Sequence, residues 1–217
     1  MGTLLNRRRY MGGGGAPVPT DYIQDGLVFR LDGIDKGATD GTWVDLIGGN
    51  VFTNNGATAF DTYFYFSNNG HMNGTRMECS NQYTVEACFA PDSSFSGMVF
   101  QTMTQTSGKA MYLYLDQGLF LDRYAVYNLN NIVGNNTISL NVNLGVQNGQ
   151  TISRGTKSDY WGNRDDFNIG YNSNSSGRFF FTGKIYAIRI YSKLLTQAEM
   201  LNNQRVDNTR FNLGLTI

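Results

Sequence analysis

The side chains able to do chemistry in this chain are few, and most of them are uncharged. Only three glutamates occur, Glu78, Glu86 and Glu199, and no segment sets acids at the alternating spacing that puts two on one face of a strand. Retaining hydrolysis of a glycosidic bond needs a nucleophile and an acid about 5 to 5.5 Å apart, so the sequence predicts a protein that is not an enzyme, with no catalytic residue. The single histidine, His71, cannot build a multi-histidine metal site, and it is read as a solvent-facing residue in an Asn-Gly turn region. The run GGGG at 12 to 15 follows no strand and opens no helix, so it reads as linker rather than as a phosphate cradle.

Binding chemistry is better represented. In KSDYWGNRDD, residues 157 to 166, Tyr160 and Trp161 stand beside Asn163 and Arg164. An aromatic plane next to planar hydrogen-bonding groups is what a sugar ring requires, although Trp161 reads equally as a packed edge. A second aromatic group, Tyr63 and Tyr65 in TYFYF, is read first as part of a core strand. Asp116, Asp122, Asp165 and Asp166 supply the oxygens a structural calcium ion would use, but turn residues and solvated loop charges are the first reading of all four. No other cofactor is expected. Arg7, Arg8, Arg9 and Tyr10 form a basic aromatic cluster suited to acidic or π-rich surfaces, and docking on a protein partner is preferred to a merely solubilising tail.

The elements that must position these groups are strands. Among 217 residues, 26 glycines and only 16% charged side chains describe turns and short extended runs rather than exposed helices. Lys+Arg and Asp+Glu balance at 17 each, so no global field draws the body to nucleic acid or to an anionic membrane. No segment has the apolar length of a membrane span or of a secretory signal, which predicts synthesis and maturation in a cytoplasm. Cys79 and Cys88 read as small core residues rather than a bridge.

Residues 1 to 20 combine the basic cluster with Gly and Pro and read as an anchoring tail and linker; residues 21 to 217 read as one globular domain. In GLVFRLDG, Leu27, Phe29 and Leu31 oppose Val28, Arg30 and Asp32, the period-2 pattern of a half-buried strand. YTVEACF repeats it, with Tyr83, Val85, Ala87 and Phe89 opposing Thr84, Glu86 and Cys88. AMYLYLDQGLFLDR reads as a hairpin turning at Gln117-Gly118, and Asn73-Gly74 and Asn148-Gly149 as tight turns. At least ten such strands are predicted, too many for one ordinary open sheet, so two sheets packed face to face are expected. Near the end, Thr196 and Glu199 form a capping box and Leu195 and Met200 a hydrophobic staple, which predicts a short helix over 197–203.

The features GLVFRLDG, WVDLIGG at 43 to 49, YTVEACF, FNIGY at 167 to 171 and FTGKIYAIRIYSKLLTQAEM at 181 to 200, in this order, resemble the concanavalin A-like lectin/glucanase superfamily, especially its laminin G-like branch. The resemblance implies an all-β, two-sheet antiparallel jelly-roll sandwich closed by one short C-terminal helix. Its functions are diverse, but a short NRRRYMGGGG tail ahead of such a domain looks like the accessory virion proteins of tailed phages of gut bacteria. The expectation is therefore a non-enzymatic virion structural protein: a capsid decoration, head fibre or tail accessory that displays a lectin-like domain to host or mucosal glycans. Its partners would be other virion proteins, reached through the tail, and glycans, with a homo-oligomer on the particle and neither nucleic acid nor membrane. A bacterial carbohydrate-binding module is the alternative, followed by a divergent glycoside hydrolase.

Overall fold

Alternation of apolar with polar residues, interrupted every few positions by Gly, Asn and Asp, produces strands and little else until residue 197. The computed structural model describes residues 21–36, 41–67, 69–75, 77, 82–93, 97–104, 109–115, 119–120, 126–127, 129, 133–155, 167–171 and 180–217. The first strands are β1 (Leu27–Asp32), β2 (Thr42–Val44), β3 (Val51–Asn55), β4 (Thr58–Ala59), β5 (Phe64–Phe66) and β6 (His71–Gly74). There follow β7 (Thr84–Pro91), β8 (Met98–Thr104), β9 (Lys109–Tyr114), β10 (Leu119–Phe120), β11 (Val126–Tyr127) and β12 (Asn136–Asn141). The chain ends with β13 (Gly145–Gln147), β14 (Gln150–Ile152), β15 (Arg154–Gly155), β16 (Phe167–Ile169), β17 (Gly183–Tyr191) and the helix α1 (Gln197–Arg210).

Two antiparallel sheets make the jelly-roll sandwich. The eight-stranded back sheet runs β14-β13-β12-β7-β17-β5-β4, with β1 also paired to β17, and the six-stranded front sheet runs β2-β3-β6-β16-β8-β9. A third, three-stranded ribbon, β10-β11-β15, adds to the two expected sheets. Between front and back lies an aromatic-rich core. Phe29 stacks on Phe167 at 5.0 Å, Phe52 meets Phe167 edge-on at 4.9 Å, and Trp43 tilts against Phe64 at 4.8 Å. Each such side chain contributes about 1.5 to 3 kcal/mol through burial. In β17 a bulge between Ile185 and Ala187 breaks strict alternation, so Ile185, Ile188 and Ile190 all reach this core.

The outer side of the back sheet is covered by α1. There the sequence has placed a polar face, and burial obliges every member to find a partner. Arg189, 1% exposed, donates from Nη1 and Nη2 to both carboxylate oxygens of Asp207 at 2.7 Å and from Nε to Glu86 at 2.9 Å. Glu86 also accepts from Ser139 (2.7 Å) and Asn203 (2.9 Å), while Asp207 accepts from Thr137 (2.7 Å) and Tyr22 (2.9 Å). Burial pushes the Glu86 carboxyl up while Arg189 draws it back; for Arg189 the burial that would lower it is outweighed by Asp207 and Glu86. The Arg189 guanidinium lies 4.1 Å over the Tyr22 ring, so the chain entering at residue 22 is fastened to the same cluster.

Several local expectations need correction. The helix extends to Arg210 rather than ending near residue 203, because Gln204 and Asp207, in the added turns, are bound by Ser139, Thr137 and Arg189. YTVEACF is buried on both faces, not half-buried, since α1 covers Glu86 while Phe211 and Leu213, beyond the helix, cover Cys88. A bulge in β1 sends Leu27 away from Phe29 and Leu31 into the cluster of Tyr191, Leu195 and Met200. Lys109–Tyr114 pairs with Met98–Thr104, and Leu119–Phe120 pairs with Val126–Tyr127; the turn expected at Gln117-Gly118 lies outside the described residues. Asn73-Gly74 lies within β6, paired on both sides, because the Phe52 ring packs so closely on Gly74 that a Cβ would come within 2.4 Å of it. His71 accordingly sits on a strand rather than in a turn.

Other expectations hold. Asn148 (φ 47°) and Gly149 (φ 80°) turn the β13–β14 hairpin. The capping box at Thr196 and Glu199 is formed in both directions, and Leu195 and Met200 are buried in one cluster. Cys88 is a buried free thiol; Cys79 lies outside the described residues.

Candidate functional site

The residues singled out for binding fall where the structure gives no description: Tyr160, Trp161, Asn163 and Arg164, the aspartates Asp116, Asp122, Asp165 and Asp166, and the tail residues Arg7, Arg8, Arg9 and Tyr10 all lie outside the described residues, as does Glu78. In the sequence, residues 156–166 precede β16, a central strand of the front sheet whose neighbours are β6 and β8.

Alternation on these strands sorts their side chains. Phe52, Met72, Phe167 and Phe100 point into the core, so Thr53, Asn73, Asn168 and Gln101 must point outward. Register then aligns them: Thr42 pairs with Thr53, Thr53 with Asn73, Asn73 with Asn168, and Asn168 with Gln101. Five strands thus contribute one row of hydroxyl and amide side chains that carries no formal charge. Thr53 and Asn73 are exposed at its open end, whereas Asn168 and Gln101 are buried. Adjacent to this row, Asn55 pairs with His71 on the same face.

At His71 the row meets aromatic rings. Gly170, at φ +81°, turns the chain out of β16 so that the Tyr171 ring lies 4.3 Å from the imidazole, with Phe180 stacked on Tyr171 at 5.9 Å and 16°. The His71 Nδ1 is 2.9 Å from the Asn69 carbonyl. A carbonyl can only accept, so Nδ1 carries a proton, and in a neutral ring Nε2 is the acceptor. The ensemble offers amide donors and acceptors, hydroxyls, one imidazole acceptor and a ring face. That is binding chemistry for a neutral polyol.

Two of the three glutamates have structural partners. The Glu86 carboxylate is enclosed beneath α1 and engaged by Ser139, Arg189 and Asn203. Glu199 caps the helix and pairs with Lys193, whose hydrogen bond, with that of the Thr196 backbone, holds its carboxyl below the usual range. Among the described residues no group of three or more His, Cys, Asp or Glu side chains is placed to hold a metal ion, and no helix is long and apolar enough to cross a membrane.

The other aromatic candidate, TYFYF, divides as a strand should. Phe64 and Phe66 are buried in the core, Tyr63 stacks on Phe60 at 4.8 Å, and the Tyr65 hydroxyl donates to Asp92 at 2.7 Å. Sequence reasoning missed Thr53, Asn55, Asn73, Tyr171 and Phe180. The alternation in VFTNN and HMNG held part of the signal, but only the cross-strand register brings the two segments together.

No protein-family model matches this sequence, and no curated protein matches it. Among solved structures 135 chains match. A mutant of Trypanosoma rangeli sialidase displaying trans-sialidase activity aligns with a TM-score of 0.59 at 14% identity, over 89% of this chain and 34% of the sialidase. Domain 4 of AbnA, a GH43 extracellular arabinanase from Geobacillus stearothermophilus, solved in complex with arabinotriose, aligns at 0.54 and 16% identity over 81% of this chain and 97% of that domain. The binding domain of Paraclostridial Mosquitocidal Protein 1 aligns at 0.56 and 15% identity, over 86% and 53%. The chain spans about a third of the length of the sialidase it matches. At such identities the likeness is one of architecture, and it agrees with the strand order: this chain is a two-sheet antiparallel jelly-roll sandwich.

Proposed function

We propose that the chain is a non-enzymatic lectin-like module that binds neutral glycans along the outer face of the front sheet. One observation carries this reading: the uncharged, exposed Thr53, Asn55 and Asn73 share one face with, and lie beside, the His71–Tyr171–Phe180 ring cluster. Sugars present hydroxyls that both donate and accept, together with an apolar ring face, and the row and the rings complement those two properties. The arabinanase domain seen with arabinotriose supports a saccharide ligand on this fold. Tyr160, Trp161, Asn163 and Arg164, which precede β16 in the sequence, are proposed as further contacts to the same ligand.

The setting we propose is a tailed-phage particle, where the domain serves as a capsid decoration, head fibre or tail accessory held by Arg7 to Tyr10. Weak sites repeated on a particle gain avidity without any new contact. A carbohydrate-binding module within a larger glycosidase is the second reading, favoured by the match to nearly all of the arabinanase domain and to only a third of the sialidase.

Isothermal titration with arabino-oligosaccharides and a panel of neutral mucosal glycans tests the site. Asn73→Ala and Tyr171→Ala should each weaken binding by roughly fivefold to tenfold, about 1 kcal/mol for a lost hydrogen bond or ring contact, without lowering the unfolding temperature. Binding indifferent to both exchanges would remove the front face from consideration. Mass spectrometry of purified particles decides the setting, and recovery of the protein only from a secreted glycosidase would favour the second reading.

A further inference from the structure

We propose that Asn55-Gly56 is a site of spontaneous covalent modification, at which deamidation places a negative charge on the outer face of the front sheet. Asparagine is thermolabile, and most so before glycine, whose missing side chain lets the following backbone nitrogen approach the carboxamide. That nitrogen attacks the asparagine Cγ. The N–Cγ bond forms as the Cγ–Nδ2 bond breaks, the proton of the attacking nitrogen leaves with ammonia, and a cyclic succinimide results. Water then opens the ring at either carbonyl, to aspartate or to isoaspartate. The balance is water taken up and ammonia released, with no oxidant or reductant.

The chain holds four Asn-Gly pairs, beginning at Asn55, Asn69, Asn73 and Asn148, and the fold restrains three of them. Asn73 and Gly74 are paired to Asn168 and Phe167 of β16, and Asn73 also to Thr53 of β3, so the ladder holds the backbone extended and the Gly74 nitrogen away from the side chain. The Asn148 carboxamide is gripped at both ends, accepting from Thr137 N–H at 2.9 Å and donating to Asn136 at 3.2 Å, while Gly149 N–H donates to Gln204 at 2.9 Å. Gly70 N–H donates to the Ser67 carbonyl at 2.7 Å, and the Asn69 carbonyl accepts from His71.

Asn55 differs on each count. It is the last residue of β3, and both it and Gly56 are exposed. Its carboxamide makes one exposed bond, to the Thr53 carbonyl at 3.2 Å, and among the described residues no backbone carbonyl accepts from Gly56 N–H. Gly56 adopts φ +94°, a conformation that favours glycine, so the turn itself requires the labile pair. A Cβ built there would meet nothing closer than the Gly70 Cα at 3.7 Å, which leaves room for the ring. Asn55 is the cross-strand partner of His71. A carboxylate only accepts, so conversion removes a donor from this face and sets a negative charge opposite the imidazole. That effect on ligand binding rests on the proposed glycan site; the chemistry does not.

Ageing the full chain at mildly alkaline pH, which favours the deprotonated Gly56 nitrogen, with peptide mapping by mass spectrometry tests the site. In the folded protein residue 55 should convert at least about tenfold faster than 69, 73 or 148, and in urea all four should convert at similar rates, because there no fold discriminates among them. Equal rates in the folded protein would overturn the proposal, as would a residue 55 that keeps its amide while the urea-unfolded chain loses it. Asn55→Asp, which reproduces one product, should bind the glycan panel about fivefold more weakly than the unaltered chain. Unchanged affinity beside confirmed conversion would remove residue 55 from the glycan site, and no glycan binding by either protein would remove that site altogether; both outcomes leave the modification established.

Discussion

Arg189 shows how a polar residue in a strand can fix a fold. Its guanidinium holds two carboxylates that would otherwise be buried without a counter-charge, and removing one partner of such a cluster costs about 3 to 5 kcal/mol. Glu86→Gln is the milder probe. The carboxylate accepts from three donors, the Ser139 hydroxyl, the Arg189 Nε and the Asn203 amide; a glutamine would turn an NH2 group toward at least one of them. We expect a loss of about 2 kcal/mol in urea unfolding and no change in glycan affinity per folded molecule. An unaltered midpoint would mean that the cluster opens to water. This role was not legible in the sequence. TVEAC shows that Glu86 opposes the core residues of its own strand, but its partners stand 53, 103 and 117 positions away, and no local pattern encodes such distances.

At the scale of elements, α1 is legible at one end and hidden at the other. Its start is written within four residues, since Thr196 accepts from the Glu199 backbone while Glu199 returns to the Thr196 N–H at 2.8 Å. Its length is set by tertiary contacts. After Asn203 the segment QRVDNTR has little apolar periodicity, and what keeps it helical is the bidentate grip of Arg189 on Asp207 and the pairing of Arg210 with Asp32 at 2.9 Å. Burial alone would raise the Asp32 carboxyl, but hydrogen bonds from Arg210 and Arg30 outweigh it and hold it low. Thr196→Ala should therefore cost only about 1 kcal/mol and leave α1 in place, because its far turns are fastened independently. Hydrogen exchange checks this: faster exchange confined to residues 197–200 is expected, and loss of protection along the whole helix would show that the cap governs the element. The strands followed the same division. Alternation revealed β1, β7 and β17, while their bulges and the front-sheet row emerged only from pairing partners far along the chain.

The whole molecule has two faces of different character, and the entering chain lies on one of them. Asn202 donates to the Asp21 carbonyl at 3.1 Å, Ile23 N–H donates to Asn203 at 2.9 Å, and the Tyr22 hydroxyl donates to Asp207, all on the α1 side of the back sheet. The candidate row lies on the outside of the opposite sheet. A particle-bound tail would thus hold the domain by its back and leave the front free. Deleting residues 1 to 20 should then leave the unfolding temperature and the glycan affinity unchanged while abolishing incorporation into particles. Tyr22 marks where dispensable chain ends: Tyr22→Ala empties a buried site between the Arg189 and Arg30 guanidiniums and should cost about 3 kcal/mol. Calorimetry of the two variants, with particle assembly scored in parallel, separates the roles. A deletion that still assembles would place the anchor in the sandwich itself, and one that unfolds would make residues 1 to 20 part of the domain rather than its tether.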